Sequence, residues 1–214
     1  IQLGSLPNAL SESDTDLLRK FSPPLPHAAY NLEPDNTHTS AVRYLPLVSG
    51  AGEWHLLAFF NWSRFSESSE HFRLDQIGLD AATPYTLYEF FPAKYHGLIE
   101  GGSSLSIPPC SARLFGLRPY KEHPLLLASN RHISQGALDH KHIEWDIAEK
   151  KLSGLFKADP VHYELRFFVP HPWKYTDAIV SVKNYEVINE GSDVILLRFS
   201  VENPQSVTWS ITFK

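Results

Sequence analysis

Apolar and polar residues alternate with a period of two in short runs from Ala41 to Phe213. Successive side chains of a β-strand point to opposite faces, so this alternation is typical of strands that bury one face. Turn residues such as Gly50-Ala51-Gly52 and Gly101-Gly102 separate the runs. Because no helical pattern lies between the runs, a parallel βαβ sheet is excluded.

Thirteen short strands are predicted in this region. They span residues 41–48, 54–62, 72–74, 85–91, 104–107, 112–119, 124–129, 142–146, 151–156, 162–169, 178–187, 194–201 and 207–213. One seven-stranded sandwich cannot hold so many. The sequence therefore predicts an all-β protein with two antiparallel β-sandwich domains, the first over residues 41–119 and the second, immunoglobulin-like, over residues 120–214.

One short helix is predicted ahead of the strands, over residues 9–21. Ser11 or Ser13 can cap it, and acidic residues fill its first turn. Its apolar face consists of Leu17, Leu18 and Phe21. Prolines follow the helix, so residues 1–40 are predicted to form a helix and an ordered connector. A single helix cannot bury its own apolar face, and we expect this one to pack against another structure.

Composition and charge exclude several classes of function. The formal net charge is −5 with acids and bases interspersed, which disfavours nucleic acid as a partner. No apolar run approaches the roughly 20 residues that span a bilayer, so no membrane partner is expected. A lone Cys110 excludes an internal disulfide framework. A chain that starts at Ile1 and contains no methionine is expected to be a mature product or, in the preferred interpretation, a piece of a longer polypeptide.

The histidines of residues 123–145 are the first candidates for chemistry. His140 and His142 lie two apart at the edge of a predicted strand and should point to one face, where they could bind zinc with His132 or Glu144 as third ligand. A small metalloenzyme is therefore one hypothesis. The preferred interpretation is structural: His140 and His142 begin a surface strand, and His132 belongs to a loop (129–136) whose polar side chains satisfy its own backbone. No cofactor or metal is expected.

Aromatic residues make up 13% of the chain. Their period-two spacing favours a sandwich core, but exposed rings could also stack on sugars. A carbohydrate-binding module that uses Trp145 or Trp173 as exposed rings is the second hypothesis. Among the acids, Glu89 and Glu144 stand out because they lie within aromatic strands. No G-x-S-x-G, P-loop or H-E-x-x-H motif occurs.

Three ordered stretches resemble a known family. They are EWHLLAFFNWS (53–63), YTLYEFFPAKYHG (85–97) leading to LSIPPCSARL (105–114), and LRPYKEHPLLLASNRHISQG (117–136). Together they resemble the region after the catalytic barrel in bacterial glycoside hydrolases of the α-galactosidase and raffinose-synthase clan. Cys110 stands where that family usually has His, and Phe91 stands where it usually has Trp.

The resemblance covers about residues 5–157, and ALSESDTDLLRKFSPP (9–24) is similar to the last barrel helix and its exit. It implies a non-catalytic C-terminal accessory region that stabilises a catalytic (β/α)8 barrel of the same parent chain. The reactive aspartates of such proteins lie at the ends of barrel strands, which would precede Ile1. The resemblance therefore assigns no catalytic residue here, and we do not expect the chain to be an enzyme by itself.

Overall fold

The computed structural model describes residues 10–25, 27–32 and 41–214. It contains one α-helix, α1 (Glu12–Lys20), and a 3-10 turn at Asp75–Ile77. The strands of the first half are β1 (Tyr30–Asn31), β2 (Val42–Ser49), β3 (Gly52–Asn61), β4 (Ser68–Arg73), β5 (Tyr85–Glu89), β6 (Lys94–Ile99), β7 (Gly102–Ile107) and β8 (Ser111–Pro119). The strands of the second half are β9 (Leu125–Ser129), β10 (His140–Asp146), β11 (Lys151–Ala158), β12 (His162–Phe168), β13 (Tyr175–Val180), β14 (Tyr185–Asn189), β15 (Val194–Ser200) and β16 (Gln205–Phe213).

The strands form four sheets, and all of their pairings are antiparallel. A six-stranded sheet has the order β1-β2-β3-β8-β5-β6, and the two-stranded sheet β4-β7 packs on one of its faces. Two four-stranded sheets, β10-β11-β16-β13 and β14-β15-β12-β9, form the second half. The predicted class, an all-β sandwich-type fold with one N-terminal helix, is confirmed.

The strand predictions need three corrections. Tyr30–Asn31 and Lys94–Ile99 are strands that the sequence pattern did not indicate. The strand predicted over residues 178–187 is two strands, β13 and β14, separated by a turn at residues 181–184. The turn signal at Asn184 marks that break, but the apolar residues on both sides of it suggested continuity.

The six-stranded sheet buries both of its faces, on two different cores. Leu57 and Phe59 of β3 point to the core shared with β4 and β7. Trp54 and Leu56 of the same strand point the other way, into the largest core, which also contains the facing sides of the two four-stranded sheets. Because the side chains of a strand alternate between faces, β3 connects the two cores. One apolar core therefore crosses the expected domain boundary near Arg118–Glu122.

The helix begins where its capping residues are. The Oγ of Ser11 accepts a hydrogen bond from the Asp14 backbone N–H at 3.1 Å, and the Asp14 carboxylate accepts one from the Ser11 N–H at 3.2 Å. This reciprocal capping box satisfies two backbone donors that a helix N-terminus leaves free. Residue 9 of the predicted helix, and residues 1–8, 26 and 33–40 of the predicted helix-and-connector segment, lie outside the described residues. None of the described helices is long and apolar enough to cross a membrane.

Candidate functional site

The structure brings Trp145 and Trp173 together, although they are far apart in sequence. Trp145 lies on β10 and Trp173 in the segment before β13, and their rings meet edge to face with centroids 5.0 Å apart. Both are half-buried and pack against the largest core. Phe213 of β16 also contacts Trp145, with ring centroids 6.0 Å apart. The two tryptophans therefore belong to an aromatic packing cluster.

Sugar stacking needs an open ring face, and Trp145 has one face covered. The imidazole of His123 lies parallel to the indole, with centroids 5.1 Å apart and an interplanar angle of 1°. The Nε1–H of Trp173 donates to the backbone carbonyl of Glu122 at 2.7 Å, which holds that ring against the segment joining β8 to β9. Trp145 and Trp173 therefore hold the segment 120–124 in place. This role uses the ring face and the N–H group that a bound sugar would need.

His132 is a buried structural residue. Its Nδ1 accepts from the Ser134 N–H at 3.0 Å, so its Nε2 carries the proton and donates to the Pro23 carbonyl at 2.8 Å. Burial lowers the pKa of His132, the Pro23 carbonyl opposes this, and the charge of Arg131 adds to the lowering. The neutral ring thus satisfies a backbone N–H of its own loop, as the structural interpretation expected, and it also ties the segment after α1 to the loop 129–136.

The prediction that His140 and His142 share one face is wrong. A β-bulge lies between them, because His140 pairs with Phe156 and His142 pairs with the adjacent Leu155. An extra residue in one strand breaks the alternation of faces. His140 is consequently buried, whereas His142 is exposed.

The three histidines therefore do not form a metal site. His142 faces Glu144, with Nε2 and Oε2 3.2 Å apart, while His132 and His140 make separate hydrogen bonds within the fold. Within residues 10–25, 27–32 and 41–214, no group of three or more His, Cys, Asp and Glu side chains could hold a metal ion.

Glu89 is held by two basic side chains, a contact that the sequence did not predict. Its carboxylate accepts two hydrogen bonds from Arg113, at 2.7 and 2.6 Å, and Nε2 of His96 lies 2.9 Å from Oε2. Burial raises the pKa of Glu89, but the hydrogen bonds from Arg113 and His96 outweigh it and hold the pKa below its ordinary value. The carboxylate is therefore ionised and locked in place, which does not suit a general acid. Glu144, the other acid of interest, is exposed on β10.

The helix α1 contacts the rest of the protein chiefly through its C-terminal end. The Lys20 carbonyl accepts from the Ile133 N–H at 2.9 Å, and the Arg19 carbonyl accepts from Nη1 of Arg131 at 2.7 Å. Phe21 lies against Phe91, with ring centroids 6.3 Å apart. None of the helical residues is buried, and Leu17, in the predicted apolar face, is 45% exposed.

A further apolar area lies at the end of β3, on the face of the six-stranded sheet that carries Trp54 and Leu56 but outside the largest core. At the end of β3, Phe60 is half-buried and Trp62 just beyond it is exposed, with their rings stacked at 5.5 Å and 9°. Phe90 directly follows β5, and Nζ of Lys20 lies 5.6 Å from the centroid of its ring. We call Leu17, Phe21, Phe60, Trp62 and Phe91 the outer apolar surface.

Sequence reasoning missed Arg118. It lies near the end of a largely apolar strand segment, LFGLRP (114–119), at the predicted domain boundary, and it is only 7% exposed. A charged residue in an apolar strand was the available signal, since arginine is almost never fully buried without partners.

The comparisons with known proteins give little. No family model matches the chain, and no curated protein matches it. Among solved structures, the isomalto-dextranase of Arthrobacter globiformis T6 in complex with panose is similar at a TM-score of 0.33 and 11% identity over 82% of this chain. The chain spans 35% of that protein's length. This is a weak similarity to a glycoside hydrolase, and membership of the α-galactosidase clan is not confirmed by it.

Proposed function

We propose that this chain is a non-catalytic C-terminal accessory region of a larger glycoside hydrolase of the α-galactosidase type. Its outer apolar surface packs against a catalytic (β/α)8 barrel of the same parent chain and stabilises it. The observation that carries this proposal is α1, an amphipathic helix with a complete capping box and no buried residue. Such a helix gains little from folding in isolation, because most helical stability comes from packing an apolar face.

The position of the outer apolar surface supports the same partner. Leu17 is 45% exposed, Trp62 is 59% exposed and Phe91 is 44% exposed. Burying a large apolar side chain of this kind stabilises by about 1.5–3 kcal/mol when it is fully removed from water. A barrel that precedes α1 in sequence would be covalently connected to α1. It would therefore lie close to this surface, to which Leu17 of α1 belongs.

The three resembling stretches also support the clan. They contain β3, β5 with β6, and β8 with β9. Four of these five strands are neighbours, in the order β3-β8-β5-β6 of the six-stranded sheet, and β9 lies in a four-stranded sheet. Most of a resemblance spread over separate parts of the sequence thus falls on one sheet. The reaction of the parent, hydrolysis or transfer of α-linked galactosides, follows from the resemblance.

The test uses the complete protein encoded by the gene, with Leu17→Asp compared with Ile147→Asp. Ile147 is 78% exposed in the turn after β10 and serves as the matched control. We expect Leu17→Asp to lower the thermal midpoint and the half-life of α-galactosidase activity, and Ile147→Asp to change neither. In the isolated 214-residue chain both variants should unfold like the wild type.

Equal effects of the two variants in the complete protein would contradict the docking role. So would measurable turnover of an aryl α-galactoside by the isolated chain, or an upstream sequence without eight strand–helix units.

Carbohydrate binding is the second candidate, and the observation that favours it is the stacked, exposed pair of Phe60 and Trp62. Trp145 and Trp173 remain candidates, although their packing leaves them less open. Calorimetric titration of the isolated chain with galactosides and with panose tests this role. Heat that disappears in Trp62→Ala would support a binding module, and no heat would leave the docking role as the explanation of this surface.

A further inference from the structure

A cavity of about 430 Å³ lies where the turn joining β2 and β3 meets the segment joining β8 and β9. Its apolar wall is formed by Leu125, Leu126, Ile143 and Leu152. Its polar and aromatic lining includes Arg118, Lys121, His123, Glu144 and Trp145. We call it the Arg118 cavity.

Arg118 is held in this wall by three contacts. Its Nε donates to the Glu53 carbonyl at 3.3 Å, its Nη1 donates to the Leu126 carbonyl, and its guanidinium lies 3.7 Å from the centroid of the Trp54 ring. These contacts fix the plane of the guanidinium, and none of them uses Nη2 as a hydrogen-bond donor. In the part of the chain that the structure describes, Nη2 donates to no acceptor and no carboxylate lies within ion-pair distance of Arg118.

Gly52 keeps the space beside Nη2 open. A Cβ at this position would lie 2.8 Å from Nη2 of Arg118. Its φ of +116° is also a conformation that residues with a side chain rarely adopt. Since Gly52 itself lines the Arg118 cavity, Nη2 lies at the cavity wall.

The charge balance of the cavity favours an anion. A buried guanidinium without a carboxylate in ion-pair contact is costly, because two carbonyl hydrogen bonds and an aromatic ring compensate its loss of hydration only in part. Burial lowers the pKa of Arg118 to about 9 and the charge of the exposed Glu53 opposes this, so the guanidinium stays protonated at neutral pH. Lys121, exposed at the rim, adds a second positive charge, and the only acid of the lining, Glu144, turns toward His142.

We propose that the Arg118 cavity binds a small oxyanion, a carboxylate or a phosphate, carried on an apolar group. Nη2 of Arg118 and the ammonium of Lys121 contact the charged oxygens, and the leucine side chains contact the apolar part. His123 and Trp145, stacked on each other, form the aromatic side of the site. This site is separate from the outer apolar surface, so the inference does not depend on the proposed docking role.

The test uses the whole chain with butyrate, inorganic phosphate and the neutral analogue butyramide as probes, at constant ionic strength. The readouts are the thermal midpoint and the imidazole NMR signals of His123. We expect at least one anion to raise the midpoint and to shift the His123 signals with a Kd of about 1–10 mM, and butyramide to do neither. A response to butyrate alone identifies a carboxylate ligand, and a response to phosphate alone identifies a phosphate ligand.

Two charge-reversal variants test the assignment without disturbing the buried guanidinium. Lys121→Glu should weaken the binding of the anion about tenfold, because it places a negative charge beside the bound one. The control, Lys183→Glu, changes an exposed lysine that lines a separate cavity bordered by β14 and β15, and it should leave the affinity unchanged. The proposal is overturned if no anion shifts the His123 signals, if butyramide binds as well as butyrate, or if the two variants have equal effects.

Discussion

The indole Nε1–H of Trp209 donates a hydrogen bond of 3.1 Å to Nε2 of His140 inside the second sandwich. Because an indole can only donate, Nε2 must accept, and Nδ1 carries the proton toward the Gly136 carbonyl at 3.3 Å. Burial lowers the pKa of His140 to about 3, the Gly136 carbonyl opposes this, and the charge of Arg118 adds to the lowering. A histidine that the sequence offered as a metal ligand is thus a neutral part of the core.

The stability of the fold should fall in acid because of His140. Its pKa is lower in the folded protein than the ordinary value of 6.5, so its contribution is complete above pH 6.5 and is lost as the pH falls toward 3. The slope from this one group is about 1.4 kcal/mol per pH unit. Urea unfolding between pH 4 and 7 measures it.

The His140→Gln variant should be less stable at pH 7, since the Trp209 contact is weakened, and its stability should depend less on pH. The exposed His142→Gln variant is the control and should keep the wild-type slope. Parallel pH profiles for His140→Gln and the wild type would show that the burial of His140 does not govern this dependence.

The Glu89→Gln substitution should destabilise the first half of the protein by about 2 kcal/mol at pH 7, because it leaves Arg113 without its charged partner. The pKa of Glu89 is lower in the folded protein than its ordinary value of 4.5. The contribution of Glu89 to the free energy of unfolding is therefore present above pH 4.5 and is lost as the pH falls below that value. Chemical denaturation at pH 7 and pH 4 should therefore show a smaller difference between variant and wild type in acid. Asp75→Asn, which removes the exposed partner of Arg73, is the control and should leave the midpoint unchanged. Similar losses in both variants would argue against a special role for the buried pair.

The Gly154→Ala substitution should destabilise the second sandwich by about 1–3 kcal/mol, because overpacking forces side chains to move. Gly154 pairs with Trp209 across β11 and β16, and a Cβ at Gly154 would overlap the indole. In a double-mutant cycle with Trp209→Leu, the added methyl should cost less than it does beside tryptophan. Additive effects in that cycle would mean that the steric overlap is relieved elsewhere.

The His132→Gln substitution should loosen the segment that follows α1. It weakens the hydrogen bond to the Pro23 carbonyl, a loss of about 1 kcal/mol that corresponds to roughly fivefold more frequent local opening. Limited trypsin digestion should then cut after Arg19 or Lys20 about fivefold faster, while the sandwiches resist. His162→Gln, at an exposed strand position, is the control. Equal cleavage rates in both variants would show that the hydrogen bond between His132 and the Pro23 carbonyl does not hold this segment.

The class of fold and the position of the helix were predictable because their signals are local. Ser11 and Asp14 form the capping box within four residues of each other, and the period-two pattern of β16 is contained in the strand itself. The limits of β13 and β14 were missed because Tyr175–Val180 and Tyr185–Asn189 have similar apolar content. The division into domains at residues 119 and 120 stays a prediction, since one core joins Trp54 to the second sandwich.

Propensity and alternation act over a few residues, so reading along the chain predicted most of the strands. The contacts that make the candidate sites join distant residues: Arg118 with Trp54 and Leu126, His123 with Trp145, and His132 with Pro23. A single β-bulge after His140 also places its side chain on the opposite face from that of His142. The alternation of residues along the sequence does not predict such a bulge. Tertiary packing determines these contacts. The energy of a buried contact depends on which two surfaces pack against each other, and the order of residues within one strand does not specify the other surface.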